Sequence, residues 1–243
     1  MLKQMTVRLA LATAATIAAS GTAFAQQTLN FNIGYFTVLG EDARTGAGCS
    51  NCGRDVDVLI ADNDFLTFDI SDFDSATIGG EWLTPLGQYA EAGAGLSFSR
   101  RTVPSVYTNY VNANGSEVDQ QLRLRMLPID LTIRLLPLGH RSTFQPYVGG
   151  GLSVINWRYS EFGNFINFSL PDRPVYSAEY VADGTNTGPV FVGGARWADG
   201  GISVGGEVRY RRGVGDLDQD FAANKIDLGG WTYQATIGYR FGR

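Results

Sequence analysis

Lysine is almost missing from this chain. Lys3 and Lys225 are the only two in 243 residues, so nearly all positive charge is carried by arginine. Arginine forms bidentate, weakly hydrated ion pairs that tolerate burial better than lysine pairs do. Histidine occurs once, at His140, and cysteine twice, at Cys49 and Cys52. Beyond the N-terminal stretch there is no continuous apolar run of the about 20 residues that a membrane-spanning helix needs. A helical membrane protein is therefore excluded. No glycine-rich phosphate loop, zinc-ligand spacing or nucleophile elbow is present, so no cofactor and no metal is expected. Helix-favouring runs are scarce, while glycine and aromatic residues are frequent, a composition that suits close-packed β-structure.

The first segment addresses the compartment. Lys3 and Arg8 form a short positive region, residues 9–19 are apolar, and Ala23-Phe24-Ala25 supplies small residues before Gln26. This is the pattern of a cleaved secretory signal, so residues 1–25 are expected to be a leader and residues 26–243 the folded domain. Removing Lys3 and Arg8 takes the formal charge from −5 to −7. So negative a domain argues against a nucleic-acid partner.

The remainder alternates with period two, as half-buried strands do. Trp231, Tyr233, Ala235, Ile237, Tyr239 and Phe241 oppose Thr232, Gln234, Thr236, Gly238 and Arg240. Ile202, Val204, Gly206, Val208 and Tyr210 oppose Ser203, Gly205, Glu207, Arg209 and Arg211. Similar strands start at Leu29, Ala76, Ala90 and Phe191, and a fifth covers residues 147–159 around Gly149–Gly151, where the faces cannot be assigned. A further strand breaks phase: Leu122, Leu124 and Met126 share one face, then Leu127, Ile129, Leu131, Ile133 and Leu135 take over before and after Pro128. A β-bulge at this point is expected, since it would restore the facing and accommodate the proline.

Eight strands result, joined by short connections at residues 85–88, 138–143 and 198–201 and long ones at 40–72, 101–116, 160–186 and 213–224. That alternation predicts an eight-stranded antiparallel up-and-down transmembrane β-barrel with short periplasmic turns and long extracellular loops. The polar faces carry Glu81, Glu91, Asp130, Arg134, Glu207, Arg209 and Arg240, which would be costly in lipid and must point inward. The apolar faces carry Trp82, Tyr89, Tyr147, Trp157, Trp197, Tyr210, Trp231, Tyr239 and Phe241, the expected aromatic girdles.

Pro146-Tyr147-Val148-Gly149-Gly150-Gly151-Leu152 and the closing Ile237-Gly238-Tyr239-Arg240-Phe241 resemble the outer-membrane β-barrel domain family, the group that includes the OmpA transmembrane domain and OmpW-like proteins. The resemblance covers residues 26–243 and implies residence in the cell outer membrane among lipid and lipopolysaccharide. It also implies that Tyr239 and Phe241 form the signal read by the barrel-assembly machinery, although Gly242-Arg243 follow where the family ends on its aromatic.

An eight-stranded barrel is just wide enough for side chains to fill. Acids Glu81, Glu91, Asp130 and Glu207 and bases Arg134, Arg196, Arg209 and Arg240 can pair within it. Glu81 and Glu91 flank a short turn and face the same way, which would suit a catalytic carboxylate pair. The abundance of arginine favours a structural ion-pair network instead. His140 sits in a short turn and reads as an ordinary solvated residue, so no catalytic residue is assigned and no enzyme is expected. In the first long loop Cys49 and Cys52 are expected to form a local disulfide in an oxidising compartment. Its aspartates, Asp57 and Asp62 among them, read as a solvated acidic surface. Phe65, Phe68, Ile70 and Phe73 suggest that the second strand extends above the membrane. Phe162, Phe165, Phe168, Tyr176 and Tyr180 offer a recognition surface for a ligand.

Three functions follow from this. The chain is a plugged barrel with a structural or surface-interaction role; or it is a narrow channel for small or hydrophobic solutes, as the OmpW resemblance allows, with Val190, Val192, Val148 and Leu152 hinting at an apolar inner path; or, least favoured, it is a lipid-modifying barrel enzyme.

Overall fold

Residues 26–40 and 57–242 are described by the computed structural model. Residues 1–25, expected to be a leader, and both cysteines lie outside them. Eight strands close into a ring in which every neighbour is antiparallel: β1 (Gln27–Val38), β2 (Ser75–Pro85), β3 (Ala90–Val111), β4 (Glu117–Leu135), β5 (Phe144–Ile166), β6 (Val175–Asp199), β7 (Ile202–Arg211) and β10 (Gly230–Phe241). Closure comes from β1 pairing with β10, Gln27 opposite Phe241 through Val38 opposite Gly230. All backbone groups in the lipid-level wall can then find partners, the condition for crossing a bilayer with strands. No helix among the described residues is long and apolar enough to cross a membrane.

Connections at one end are short. The tightest, between β6 and β7, is made by Gly200 and Gly201, and Gly200 adopts φ +56°, a left-handed conformation that side chains resist. The other end is elaborate. The β1–β2 connection carries helix α1 (Val58–Asn63), capped by Asp57, whose carboxylate accepts from Leu59 N at 2.8 Å, and a 3₁₀ turn at Ile70–Phe73. The β7–β10 connection carries a small hairpin of β8 (Val214–Asp216) and β9 (Lys225–Asp227). The other two long connections are mostly strand: β3 with β4 and β5 with β6 run on well above the rest of the wall, leaving only residues 112–116 and 167–174 as loops.

The bulge expected near Pro128 is absent. Register between β4 and β5 is constant from Gln120 opposite Gly163 to Leu135 opposite Val148, and β3 with β4 shifts only between Val106 and Val111. What changes is the environment. On β4 the inward residues are Arg134, Thr132 and Asp130 near the turns and Met126, Leu124, Leu122 and Val118 near the loops. The outward residues change oppositely, from Leu135, Ile133, Leu131, Ile129 and Leu127 to Arg125, Arg123 and Gln121. Below, the wall meets lipid and encloses polar groups; above, it meets water and encloses an apolar core. The apparent phase break is the membrane boundary. The segment from Phe65 to Phe73 also departs from expectation: it folds inward rather than extending β2, and Leu66 bridges to Tyr107 of β3.

Candidate functional site

Two layers fill the barrel. In the lipid-level layer, four acids meet four arginines, all buried. Arg134 Nη2 lies 2.6 Å from Glu81 Oε2 and 2.8 Å from Glu207 Oε2. Arg196 grips Glu91 with both terminal nitrogens, at 3.0 and 2.7 Å, while its Nε donates to Gln145. Arg209 joins Glu81 at 2.9 Å and Asp130 at 2.7 Å and also pairs with Glu207. Arg211 closes the chain on Asp130 at 2.6 Å and donates to Thr232. Neutral groups satisfy remaining acceptor positions: Ser153 donates to Asp130 at 2.6 Å, and Tyr147 and Gln234 donate to Glu207 at 2.9 Å each. Because each acid is shared and charge is balanced four against four, the charges compensate the desolvation they suffer away from water. Glycines on the inner face of β3 make room. A side chain at Gly93 would come within 3.0 Å of Glu81 Oε1, and at Gly95 within 3.5 Å of Arg209.

Of the residues singled out from the sequence, seven thus lie together: Glu81, Glu91, Asp130, Arg134, Arg196, Glu207 and Arg209. Arg240 does not join them. It is half-buried near the turn end with no carboxylate at salt-bridge distance among the described residues, and Arg211, higher on β7, stands in the network instead. Two rings change sides. Tyr147 and Trp157 are buried inside rather than in the girdle, and Tyr147 lies under the guanidinium of Arg134, 4.8 Å from its ring centre. Val148 and Leu152 face outward, so of the four apolar candidates only Val190 and Val192 line the interior. His140 is less solvated than expected: its side chain is 15% exposed, one ring nitrogen lies 3.0 Å from the Ala90 carbonyl and the other 3.9 Å from Glu91. Tyr239 and Phe241 stack at 6.4 Å on the outward face of β10, both exposed.

The upper layer is apolar. Val58 and Leu59 of α1, Leu66, Phe68 and Phe73 meet Leu217, Phe221, Ile226 and Leu228 of the β8–β9 segment against Leu122, Leu124, Met126, Trp157 and Tyr159 of the wall. Asp57 binds the two loop segments into one body, capping α1 with one oxygen and accepting from Asp227 N with the other. Between the layers lies a cavity of about 10 Å³ lined in part by Met126, Ile155, Arg211 and Thr232, room for about one water.

The aspartates of the first loop are not all solvated. Asp62 is buried on α1 beside Glu161 of β5, and Tyr159 donates to Asp62 at 3.0 Å. Burial pushes both carboxyls up, Asp62 strongly and Glu161 to about 7. The Tyr159 hydroxyl is pushed up by burial and by the nearby carboxyls. Glu161 beside it pushes Asp62 up further. Of the loop aromatics, Phe165 is buried, Phe168 and Tyr176 are exposed, and Phe162 lies under Arg123 at 4.5 Å.

No protein-family model and no curated protein matches the chain. Among solved structures it is similar to the outer membrane protein OprG from Pseudomonas aeruginosa, with TM-score 0.50, 15% identity, and 92% of this chain and 99% of that one covered. It is also similar to Ail, the attachment invasion locus protein of Yersinia pestis, crystallised with the heparin analogue sucrose octasulfate (TM-score 0.43, 8% identity, 90% and 99% covered). The N-terminal β-barrel domain of Pseudomonas aeruginosa OprF is a third (TM-score 0.40, 13% identity, 89% and 99% covered). The class that the geometry and the likeness to OprG define is the eight-stranded transmembrane β-barrel of the outer-membrane type. The outer membrane is where a barrel with such an apolar belt resides.

Proposed function

We propose that this chain is a closed barrel with a structural and surface-interaction role. It braces the outer membrane and holds the extended β3–β6 sheet above it as a platform for a partner. The observation that carries this reading is the cross-lumen network, in which Arg134, Arg196, Arg209 and Arg211 tie β4, β6 and β7 to acids on β2, β3, β4 and β7. The loop-built apolar layer above it adds a second closure. Single-channel recording of the refolded chain in a planar bilayer tests this: the expected result is silence, and steady, saturable conductance overturns it. Glu81→Gln with Glu91→Gln should show openings, because Arg134 and Arg196 lose the acids that hold them. Breaking a buried pair costs about 3–5 kcal/mol. No catalytic residue belongs to this reading. Removal of residues 1–25 as a leader, a Cys49–Cys52 disulfide and an assembly signal at Tyr239 and Phe241 are parts of it.

A second reading is a gated narrow passage for small or hydrophobic solutes. It is supported by the make-up of the upper layer, which consists of loop segments rather than wall and is seated through a titratable acid pair. Conductance that appears only when those segments are displaced would favour it.

A further inference from the structure

On β3 and β4 the first outward residue above the apolar belt is arginine, and on β5 an arginine stands at the same height, one outward position above Asn156. Arg100 of β3 lies directly opposite Arg125 of β4, and Arg125 directly opposite Arg158 of β5. All three are exposed. Strands in a sheet are about 4.8 Å apart, so like charges in such a row repel. Among the described residues none of the three has a carboxylate at salt-bridge distance. Asp183, across from Arg158 on β6, places one negative charge near three positive ones. The contrast with the interior is sharp, since four buried arginines there are matched by four acids in a chain that is acidic overall.

Height identifies what meets this row. The belt on β4 runs from Leu127 to Leu135. The eight steps between them, tilted by about 40°, rise about 21 Å, near the about 25 Å apolar band of such barrels. Arg125 therefore stands at the head-group level of the leaflet on the loop side. Beneath Arg100 and Arg125 lie Phe98 and Leu127, facing acyl chains, and beneath Arg158 lie Asn156 and then Val154. Guanidinium forks match phosphate oxygens in charge and geometry.

We propose that Arg100, Arg125 and Arg158 bind the phosphate groups of an anionic glycolipid in the outer leaflet. Direct abutment of Arg100 and Arg125 on the belt favours a lipid over a soluble anion, because one ligand then fills both the arginine row and the apolar surface below it. This goes beyond the closed-barrel reading and does not depend on it, since the row lies outside the lumen and conductance does not report on it.

Native mass spectrometry of the refolded chain, titrated with phosphorylated lipid A and with the same lipid dephosphorylated, tests the proposal. Wild type should retain the phosphorylated lipid selectively. Arg100→Gln/Arg125→Gln/Arg158→Gln should weaken retention by about a hundredfold, about fivefold per arginine. Equal retention by the variant, or of the dephosphorylated lipid, overturns it. Inorganic phosphate that displaces the lipid at equal concentration also overturns it, making the row a soluble-anion site. Heat-dependent gel mobility verifies folding; should the triple variant not fold, Arg125→Gln alone carries the test with the same fivefold expectation.

Discussion

At the residue scale the most consequential pair is Asp62 and Glu161, because it ties a loop helix to the wall. Asp57, Tyr107 and Tyr159 surround it with further acidic or ionisable groups. Burial raises Glu161 from its ordinary 4.5 to about 7. The folded protein therefore binds more protons than the unfolded chain between those values, and stability falls as pH rises across that window. The cost is absent below about pH 4.5 and complete above about pH 7. Asp62, raised in the same direction, adds its own loss as pH rises above its ordinary 3.8. Protection of the α1 amides, taken relative to the intrinsic base-catalysed exchange at each pH, should accordingly be higher at pH 5.5 than at pH 8. Glu161→Gln should flatten that difference, since an amide donates to Asp62 without titrating. A pH dependence unchanged in Glu161→Gln would show that the pair does not hold the helix. None of this is legible in the sequence. The partners meet only because a loop folds back into the barrel, and a lone aspartate in an acidic stretch looks like solvated surface. The acids and most arginines of the lipid-level network are legible, because the cost of charge in lipid assigns their face without reference to the fold. Arg211 and Arg240 share that face, and only strand height, which alternation does not report, separates the one that joins from the one that stays at the rim.

At the scale of elements, the strands whose outer face meets lipid throughout are those read directly from alternation: β7 and β10 match residue by residue. β3 to β6 are harder because each passes from lipid to water, and both faces exchange character on the way. That exchange mimics a bulge on β4 and hides the upper halves of β5 and β6 as loops. It also conceals Tyr147 and Trp157, whose aromatic character suggests a girdle while their register turns them inward. The seating of the β8–β9 hairpin depends on close approach, for a side chain at Gly215 would come within 2.5 Å of the Trp157 ring and 2.7 Å of Ile226. Gly215→Val should therefore expel the hairpin while leaving the barrel folded. Limited proteolysis should then cut within residues 214–227, where wild type resists. Protection equal to wild type would mean that the ring and hairpin can repack around the added volume.

At the scale of the whole molecule, the barrel is two proteins stacked on one set of strands, inside-out below and right-way-out above. The boundary between them makes position along β4 a measure of solvent. Leu131 is the middle of the belt on that strand, with Leu135 and Leu127 at its edges, and Gln121 faces outward on the same side well above it. Leu131→Arg in lipid vesicles should destabilise the barrel by about 2–4 kcal/mol, the cost of an arginine at the bilayer midplane. Leu127→Arg should cost about 0–1 kcal/mol, as at an interface, because Arg125 already marks the head-group level beside it. Gln121→Arg should change little, since water already covers that face. Urea unfolding in vesicles, followed by tryptophan emission, separates the three. Equal costs at Leu131 and Gln121 would remove the boundary, and with it both the explanation of the β4 phase exchange and the head-group level at which the arginine row has been set. A steep fall from Leu131 to Leu127 would place the bilayer against residues 127–135 and leave the upper sheet standing in water, where its apolar interior has to be supplied by the loops.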